Sequence, residues 1–260
     1  MKKIKDIKTL SQSSLSMWHR CPLQWMFRYV ENLPTEVPKN HAAILGTALH
    51  EVIDEMYKKE NFNFKFLSNN WKEVFTKVCD KENIKFDNVK QEQYRIREGH
   101  KILGVYFNSA SKRGFLIPPI STEASFKVPL KSFSLIGRID LVIKPKDEIL
   151  IIDYKSSKRE ITQKQLDNDK QLTFYSWAAR KELGIREEKV GLFYLRTGNI
   201  IWSKRERNDY LSLAMEAIQA MKKIRAGKFY PSFRCRFCEY PESCRKWINK
   251  NRITVDILWD

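Results

Sequence analysis

Glycine and proline are scarce, nine of each in 260 residues, which excludes a collagen-like or low-complexity chain. Apolar runs long enough to span a membrane are absent; those present are short, such as Ile149-Leu150-Ile151-Ile152. No G-x-x-x-x-G-K-[ST] phosphate loop occurs, which argues against ATP-driven chemistry within this chain. The basic opening Met1-Lys2-Lys3-Ile4-Lys5 resembles the start of a leader, but Asp6, Lys8, Gln12 and His19 interrupt any apolar stretch behind it, so no export signal is expected. Acidic residues are outnumbered, 31 against 48 Lys and Arg. The resulting net charge of +17 points to a polyanionic partner, nucleic acid before membrane. Hydrophobic residues at 42% exclude a disordered chain.

Residues 13–31 read as two short helices broken at Cys21-Pro22. Pro34 and Pro38 mark a loop over 32–41. Leu45, Leu49, Val52, Ile53 and Met56 share one stripe of a helix over 43–59, and further helices are expected near 66–80 and 91–112. Strands follow at 121–130, 134–144 and 148–155, with Lys144-Pro145-Lys146-Asp147 as a turn. One long helix over 162–182 stops at Gly184. Strands at 190–196 and 199–204 flank Thr197-Gly198-Asn199, and a helix near 208–225 leads into a cysteine-bearing tail. The expectation is one α/β domain over 1–260: a mainly helical part at 13–120, a mixed core at 121–205, and a helix and tail at 206–260.

Five cysteines in a reducing compartment are metal ligands or buried thiols before they are disulfides. Cys235, Cys238 and Cys244 form a C-x2-C-x5-C pattern, whose thiolates converge on one metal or cluster and need a fourth partner. Cys79 lies beside the apolar stripe Trp71, Val74, Phe75 and Val78 and reads as a buried small hydrophobe. Cys21, at a helix break beside Arg20, is the better fourth ligand. Spacing alone leaves zinc and an iron–sulfur cluster both open.

Asp140 ends Gly137-Arg138-Ile139-Asp140 on one strand, and Asp153 and Lys155 lie on the next. Residues two apart in a strand share a face, so Asp153 and Lys155 project together. Two aspartates on neighbouring strands can hold one hard cation, Mg2+ or Mn2+, while Lys155 orients or deprotonates water and offsets phosphate charge. That set suits phosphodiester hydrolysis. Gly46, His50 and Asp54 share one helix face, and an imidazole beside two carboxylates favours Mn2+. Gln171 and Tyr175 stand one turn apart on a helix.

In this order the motifs resemble those of the PD-(D/E)XK nuclease superfamily. The narrower likeness is to RecB-type nuclease domains, AddB-like iron–sulfur nucleases, CRISPR-associated adaptation nucleases and phage RecB-like exonucleases. The residues carrying it are Cys21-Pro22, Gly46-x3-His50, Gly137-Arg138-Ile139-Asp140, Asp153-Tyr154-Lys155, Gln171-x3-Tyr175 and Cys235-x2-Cys238-x5-Cys244. Ile139 stands where the superfamily's name has Pro, and Asp153 where Glu is frequent; both suit the RecB-like branch.

The resemblance implies a restriction-endonuclease-like core, a mixed central sheet flanked by helices, with a helical N-terminal region and a C-terminal cysteine lobe. It implies a metal-dependent DNA nuclease, an exonuclease on single strands or duplex ends, in recombination, repair, phage replication or spacer acquisition. His50, Asp140, Asp153 and the Tyr154 carbonyl would bind the metal, and Lys155 would be catalytic. Gln171 and Tyr175 would shape the site and contact DNA, Glu123 would be a further acid, and the four cysteines would hold a 4Fe-4S cluster. A cytoplasmic location in a bacterial or phage-infected cell follows, with a helicase or a recombination or adaptation protein as partner and no membrane. The competing readings are a non-catalytic DNA-binding subunit and a zinc-stabilised nucleic-acid adaptor; the intact acid–lysine set favours catalysis. Ten Lys or Arg over 222–252, interleaved with Phe229, Tyr230, Phe233, Phe237, Tyr240 and Trp247, offer charge and stacking for single-stranded DNA, while the aromatics suit equally well a packing role around the cysteine centre on a solvated basic face.

Overall fold

A computed structural model describes residues 4–37, 40–232, 235 and 238–251; Pro38, Phe233 and Phe237 from the sequence reading, and Met1 to Lys3, lie outside these. The elements run β1 (Thr9–Ser11), α1 (Gln12–Arg20), α2 (Pro22–Tyr29), α3 (His41–Lys58), α4 (Phe64–Lys81), α5 (Val89–Lys112), β2 (Ser121–Leu130), β3 (Phe133–Ile143), β4 (Leu150–Lys155), α6 (Gln163–Asp167), α7 (Lys170–Glu182), β5 (Lys189–Tyr194), β6 (Ile200–Ser203), α8 (Arg207–Arg225) and α9 (Pro241–Lys250). The sheet is ordered β1-β3-β4-β5-β6, with β2 paired to β3 off this path. It is mixed: β3 and β4 are antiparallel, β4 and β5 parallel, β5 and β6 antiparallel. This is a mixed α/β, restriction-endonuclease-like arrangement, a central sheet flanked by helices.

The chain forms two compact units. The larger comprises Lys39–Val128 and Ile136–Leu213. Its core is the apolar stripe of α3 (Leu45, Leu49, Val52, Ile53) packed with Trp71 and Phe75 of α4, Leu103 and Tyr106 of α5, and Ile152 and Tyr154 of β4. β4 is buried on both faces because helices and neighbouring strands cover it, and its LIIDYK sequence is apolar except at the site.

The smaller unit comprises Met1–Pro38, Pro129–Leu135 and Ala214–Asp260. Here β1 joins the start of β3 through Ser134 N to the Lys8 carbonyl at 2.8 Å. Cys21 ends α1 and begins α2, and its extended backbone (φ −161°) makes the break that Pro22 then turns into a new helix.

Two features depart from the sequence expectation. The long helix over 162–182 is two helices, because Asp169 caps a fresh start: its carboxylate accepts the Leu172 N–H at 2.9 Å. The cysteine tail also carries α9, which lacks a side-chain N-cap of its own and is instead held by Glu36, accepting from Glu242 N at 2.7 Å and Ser243 N at 2.9 Å.

Candidate active site

Asp140 and Asp153 lie one step beyond the Leu141–Ile152 pair of the β3–β4 ladder, each between buried apolar neighbours: Ile139 and Leu141, Ile152 and Tyr154. Strand alternation puts Asp153 and Lys155 on one face, and Lys155 Nζ lies 2.6 Å from Asp153 Oδ2. Gln171, in the first turn of α7, bridges that pair. Its amide oxygen accepts from Lys155 Nζ at 2.8 Å and its amide nitrogen donates to Asp153 Oδ1 at 2.8 Å. One turn on, Tyr175 donates its hydroxyl to the same Oδ1 at 3.1 Å. Asp153 Oδ2 is buried and faces the Lys155 ammonium.

Asp140 Oδ2 accepts the Tyr154 backbone N–H at 2.9 Å and faces His50 Nδ1 at 3.3 Å. Glu123 completes a third side. One ligand atom each of His50, Glu123 and Asp140 lie within 4.8 Å of one another, a spacing open to a shared cation. Glu123 reaches this position through a left-handed backbone (φ 49°) near the start of β2, a conformation rare for a residue with a Cβ. Such a distortion in a strand re-aims a side chain. Arg138 pairs with Glu123 at 2.7 Å. His50, Glu123, Asp54, Lys58, Arg138 and Gly46 line a cleft of about 560 Å³.

The electrostatics follow from crowded carboxylates in a dry place. Burial first, then the neighbouring Asp153 and Glu123, push the Asp140 carboxyl well above its ordinary range, against the Tyr154 N–H that favours the charged form. Burial lowers His50, opposed by Asp153 and Glu123 and by a hydrogen bond with the Tyr154 backbone. Burial also disfavours the Lys155 ammonium, but Asp153 outweighs it and the net shift is upward.

A chain of hydrogen-bonded phenols underlies the site. The Tyr154 hydroxyl meets Tyr106 at 3.2 Å, Tyr106 donates to Tyr57 at 3.3 Å, and Tyr57 donates to the Phe115 carbonyl at 3.0 Å. All three rings are buried, and burial pushes Tyr57 up to about 12, so the chain of phenols stays protonated. Gly137 leaves room for Phe126: a Cβ there would lie 2.5 Å from its ring, which in turn meets Tyr175 edge-on at 6.3 Å.

The structure therefore brings His50, Asp140, Asp153, Lys155, Gln171 and Tyr175 into one site. It differs from the sequence reading in the grouping. The compact trio is His50, Glu123 and Asp140, while Asp153 is held in the Lys155–Gln171–Tyr175 network. The sequence offers Glu123 as a further acid but not as a member of that trio, since a left-handed residue within a strand has no periodic signature.

In the smaller unit the four expected cysteines are neighbours. Burial raises Cys244 to about 11, with Cys238, Cys21 and Cys235 adding to the shift, and Cys238 is raised by burial and by Cys21 and Cys235. Cys21 Sγ accepts the Gln24 N–H at 3.4 Å, at the electropositive start of α2. Cys79, by contrast, is buried within the α4 core and pushed up to about 11, chiefly by burial. Two of the tail aromatics also face inward. Phe229, half-buried, stacks on Trp25 (6.3 Å, 11°), and Tyr240 is buried against Phe27, which removes Tyr240 from any stacking surface; Tyr230 is half exposed.

A family model for the PD-(D/E)XK nuclease superfamily matches residues 9–245, nearly the whole chain, and the chain belongs to that superfamily. It is a nuclease by family. Among solved structures, a candidate exonuclease from Eubacterium rectale overlays on 97% of this chain and 94% of its own at 12% identity, with a TM-score of 0.58, which establishes the shared fold. The structure of SSO0001, 15% identical, covers 90% of this chain and 85% of its own at a TM-score of 0.41. A search of curated proteins returns no significant match. No helix among the described residues is long and apolar enough to cross a membrane.

Proposed function

We propose that the protein is a RecB/AddB-like, divalent-metal-dependent deoxyribonuclease, an exonuclease on single-stranded DNA or duplex ends. The observation that carries this reading is the meeting of the His50–Glu123–Asp140 trio with the Asp153–Lys155 pair at the end of β4. The residues fit Mg2+ or Mn2+. Hard oxygen donors and one imidazole are gathered, and Asp140 is pushed toward protonation by burial first and then by the neighbouring Asp153 and Glu123 carboxylates, which a cation would offset. His50, Asp140, Asp153, the Tyr154 carbonyl and Glu123 would hold the ion, which polarises the phosphate and acidifies a bound water. Lys155 places its ammonium against the developing charge on the phosphate and orients the attacking water. Gln171 and Tyr175 keep Asp153 and Lys155 in register and border the path of the DNA strand.

Cys21, Cys235, Cys238 and Cys244 hold a 4Fe-4S cluster in this reading. Its support is four thiols within electrostatic reach of one another, two of which are brought there from opposite ends of the chain by α2 and α9. The role is structural, binding the N-terminal helices to the tail. A chain without a phosphate loop does not unwind duplexes itself, so a helicase or recombination or adaptation partner supplies single strands.

Purified protein is tested with end-labelled single-stranded and blunt duplex DNA, with Mg2+, Mn2+ or EDTA. Metal-dependent release of short products that Asp140→Asn abolishes is expected. Intact substrate with either metal would overturn the proposal.

A further inference from the structure

Arg205 is one basic residue among 48 in the sequence, yet it is 4% exposed. Its guanidinium makes five hydrogen bonds, one for each N–H it owns. Nε donates to Thr173 Oγ1 at 2.9 Å. Nη1 donates to Ser203 Oγ at 2.6 Å and to the Lys204 carbonyl at 3.0 Å. Nη2 donates to the Leu166 carbonyl at 2.7 Å and to the Asp169 carbonyl at 3.1 Å. All five acceptors are neutral. Charge reaches the network one step away, where Ser203 donates its hydroxyl to Asp167 Oδ1 at 2.6 Å.

Burying a charged group among neutral acceptors is unfavourable, and burial accordingly lowers the Arg205 pKa against Asp209, Asp169 and Asp167. What the guanidinium contributes is geometry. Three of its acceptors bracket the joint between α6 and α7: the Leu166 carbonyl in the last turn of α6, the Asp169 carbonyl at the cap of α7, and Thr173 in its first turns. The other two end β6. That joint sets the direction of α7, whose first turn presents Gln171 to Lys155 and Asp153. Asp169 itself adds to the field at Lys155.

We propose that Arg205 is a positioning residue for the nuclease site, locking the α6–α7 joint so that Gln171 keeps Lys155 and Asp153 at hydrogen-bond distance. The inference rests on the reading of that site as catalytic. Lysine cannot substitute, because an ammonium has three donors on one atom and no planar fork to bridge five acceptors.

The test compares Arg205→Lys with wild type, each also in a Gln171→Ala background, by steady-state cleavage of a labelled single strand with Mn2+. Arg205→Lys lowers kcat about 10-fold or more with KM within about 2-fold, because an interaction that orders the reacting groups is lost while DNA binding is kept. In the Gln171→Ala background the same change costs less than about 2-fold, since both substitutions remove one contact. Losses that multiply in the double variant, or a kcat for Arg205→Lys within 2-fold of wild type, overturn the inference.

A second readout needs no activity. The side-chain amide resonances of Gln171, assigned by their loss in Gln171→Ala, move in Arg205→Lys; unmoved resonances overturn the inference. Wild type that does not cut DNA would sink the nuclease reading, and the amide resonances would still decide whether Arg205 positions Gln171. Should Arg205→Lys fold poorly, Thr173→Val, which removes the Nε acceptor together with the Thr173 hydroxyl's own bond to the Asp169 carbonyl at 3.1 Å, carries the same comparisons at the same α6–α7 joint.

Discussion

Gly46 and Ser156 approach so closely that a Cβ on Gly46 would lie 2.6 Å from Ser156 Oγ. This contact lets α3, with His50 one turn further on, close against the end of β4, where Ser156 follows Lys155. Gly46→Ala forces the Ser156 hydroxyl to another rotamer and lowers cleavage by a few-fold. Gly46→Val displaces the helix and lowers it by about 10-fold or more, a positional error of about 1 Å being enough for that. Ser156→Ala combined with Gly46→Ala restores wild-type rates. A double variant no better than Gly46→Ala alone would show that the crowding is not what limits activity.

Lys155→Ala should remove cleavage by about 10²–10⁴-fold while leaving the melting transition cooperative. Asp153 then loses a charge partner 2.6 Å away, and Asp153→Ala should behave alike. Both variants should still retard labelled DNA in a gel. Either variant cutting at the wild-type rate contradicts the roles proposed for the pair.

DNA affinity should fall steeply with salt and depend little on sequence. The net charge of +17 neutralises phosphates, and each one neutralised releases counterions. A fluorescence-anisotropy titration with oligo(dT) over roughly 50 to 200 mM salt should give a straight log–log line and at least a ~10-fold loss. A flat line excludes phosphate contacts as the main source of affinity.

Cys21→Ser should lose iron and the visible absorbance of the cluster, and melt at lower temperature. The proposed centre would join segments more than two hundred residues apart, and such closure lowers unfolded-state entropy. Cys79→Ser should keep its iron, since Cys79 is buried in α4 with its thiol pushed up to about 11. Iron per chain, measured in both, reassigns the fourth ligand if the pattern is reversed. Zinc in place of iron would leave the ligands standing and change only the centre.

Acid should weaken the contact of α5 with the segment after β5. Glu98 accepts from Arg95 at 2.7 Å and Arg196 at 2.8 Å, and Arg196 also donates to the Ser156 carbonyl at 2.7 Å. Burial acts to raise the Glu98 carboxyl, but the two arginines prevail and hold it below its ordinary 4.5. A lowered carboxylate stabilises the fold fully above its unfolded value and loses that contribution as pH falls through the folded one. Glu98→Gln should therefore melt lower than wild type at pH 7 by about 2–4 °C, the shift expected for about 1 kcal/mol in a chain of this size. The gap should close below pH 4.5. A gap independent of pH would assign the effect to packing instead of charge.

Most elements were legible because they rest on periodicity. The α3 stripe, the strands of β2 to β4, and the break at Cys21-Pro22 are local patterns, and each lies within a few residues of its expected place. The break between α6 and α7 was not. Asn168-Asp169 contains neither Gly nor Pro, and the joint is stabilised by Arg205, which lies 36 residues from Asp169. Glu123 was legible as an acid on a strand but not as a neighbour of His50 and Asp140, and for the tail aromatics the sequence left stacking and interior packing both open, of which Tyr240 takes the second.

What the sequence determined by itself is the chemistry available: a strand ending in Asp-Tyr-Lys, a second carrying Asp140, a helical His, four cysteines in ligand-like settings and a large positive charge. Those follow from residue type and from spacing along the chain, where strand and helix periods fix which side chains share a face. The tertiary structure alone decided which of them meet. It drew Glu123 into the acid cluster through a left-handed residue, gave Asp153 to Gln171 and Tyr175, and set the direction of α7 by a buried guanidinium. The physical reason is that such contacts join atoms distant in sequence, whose approach depends on strand pairing and on the joint packing of several elements, and no local period encodes either.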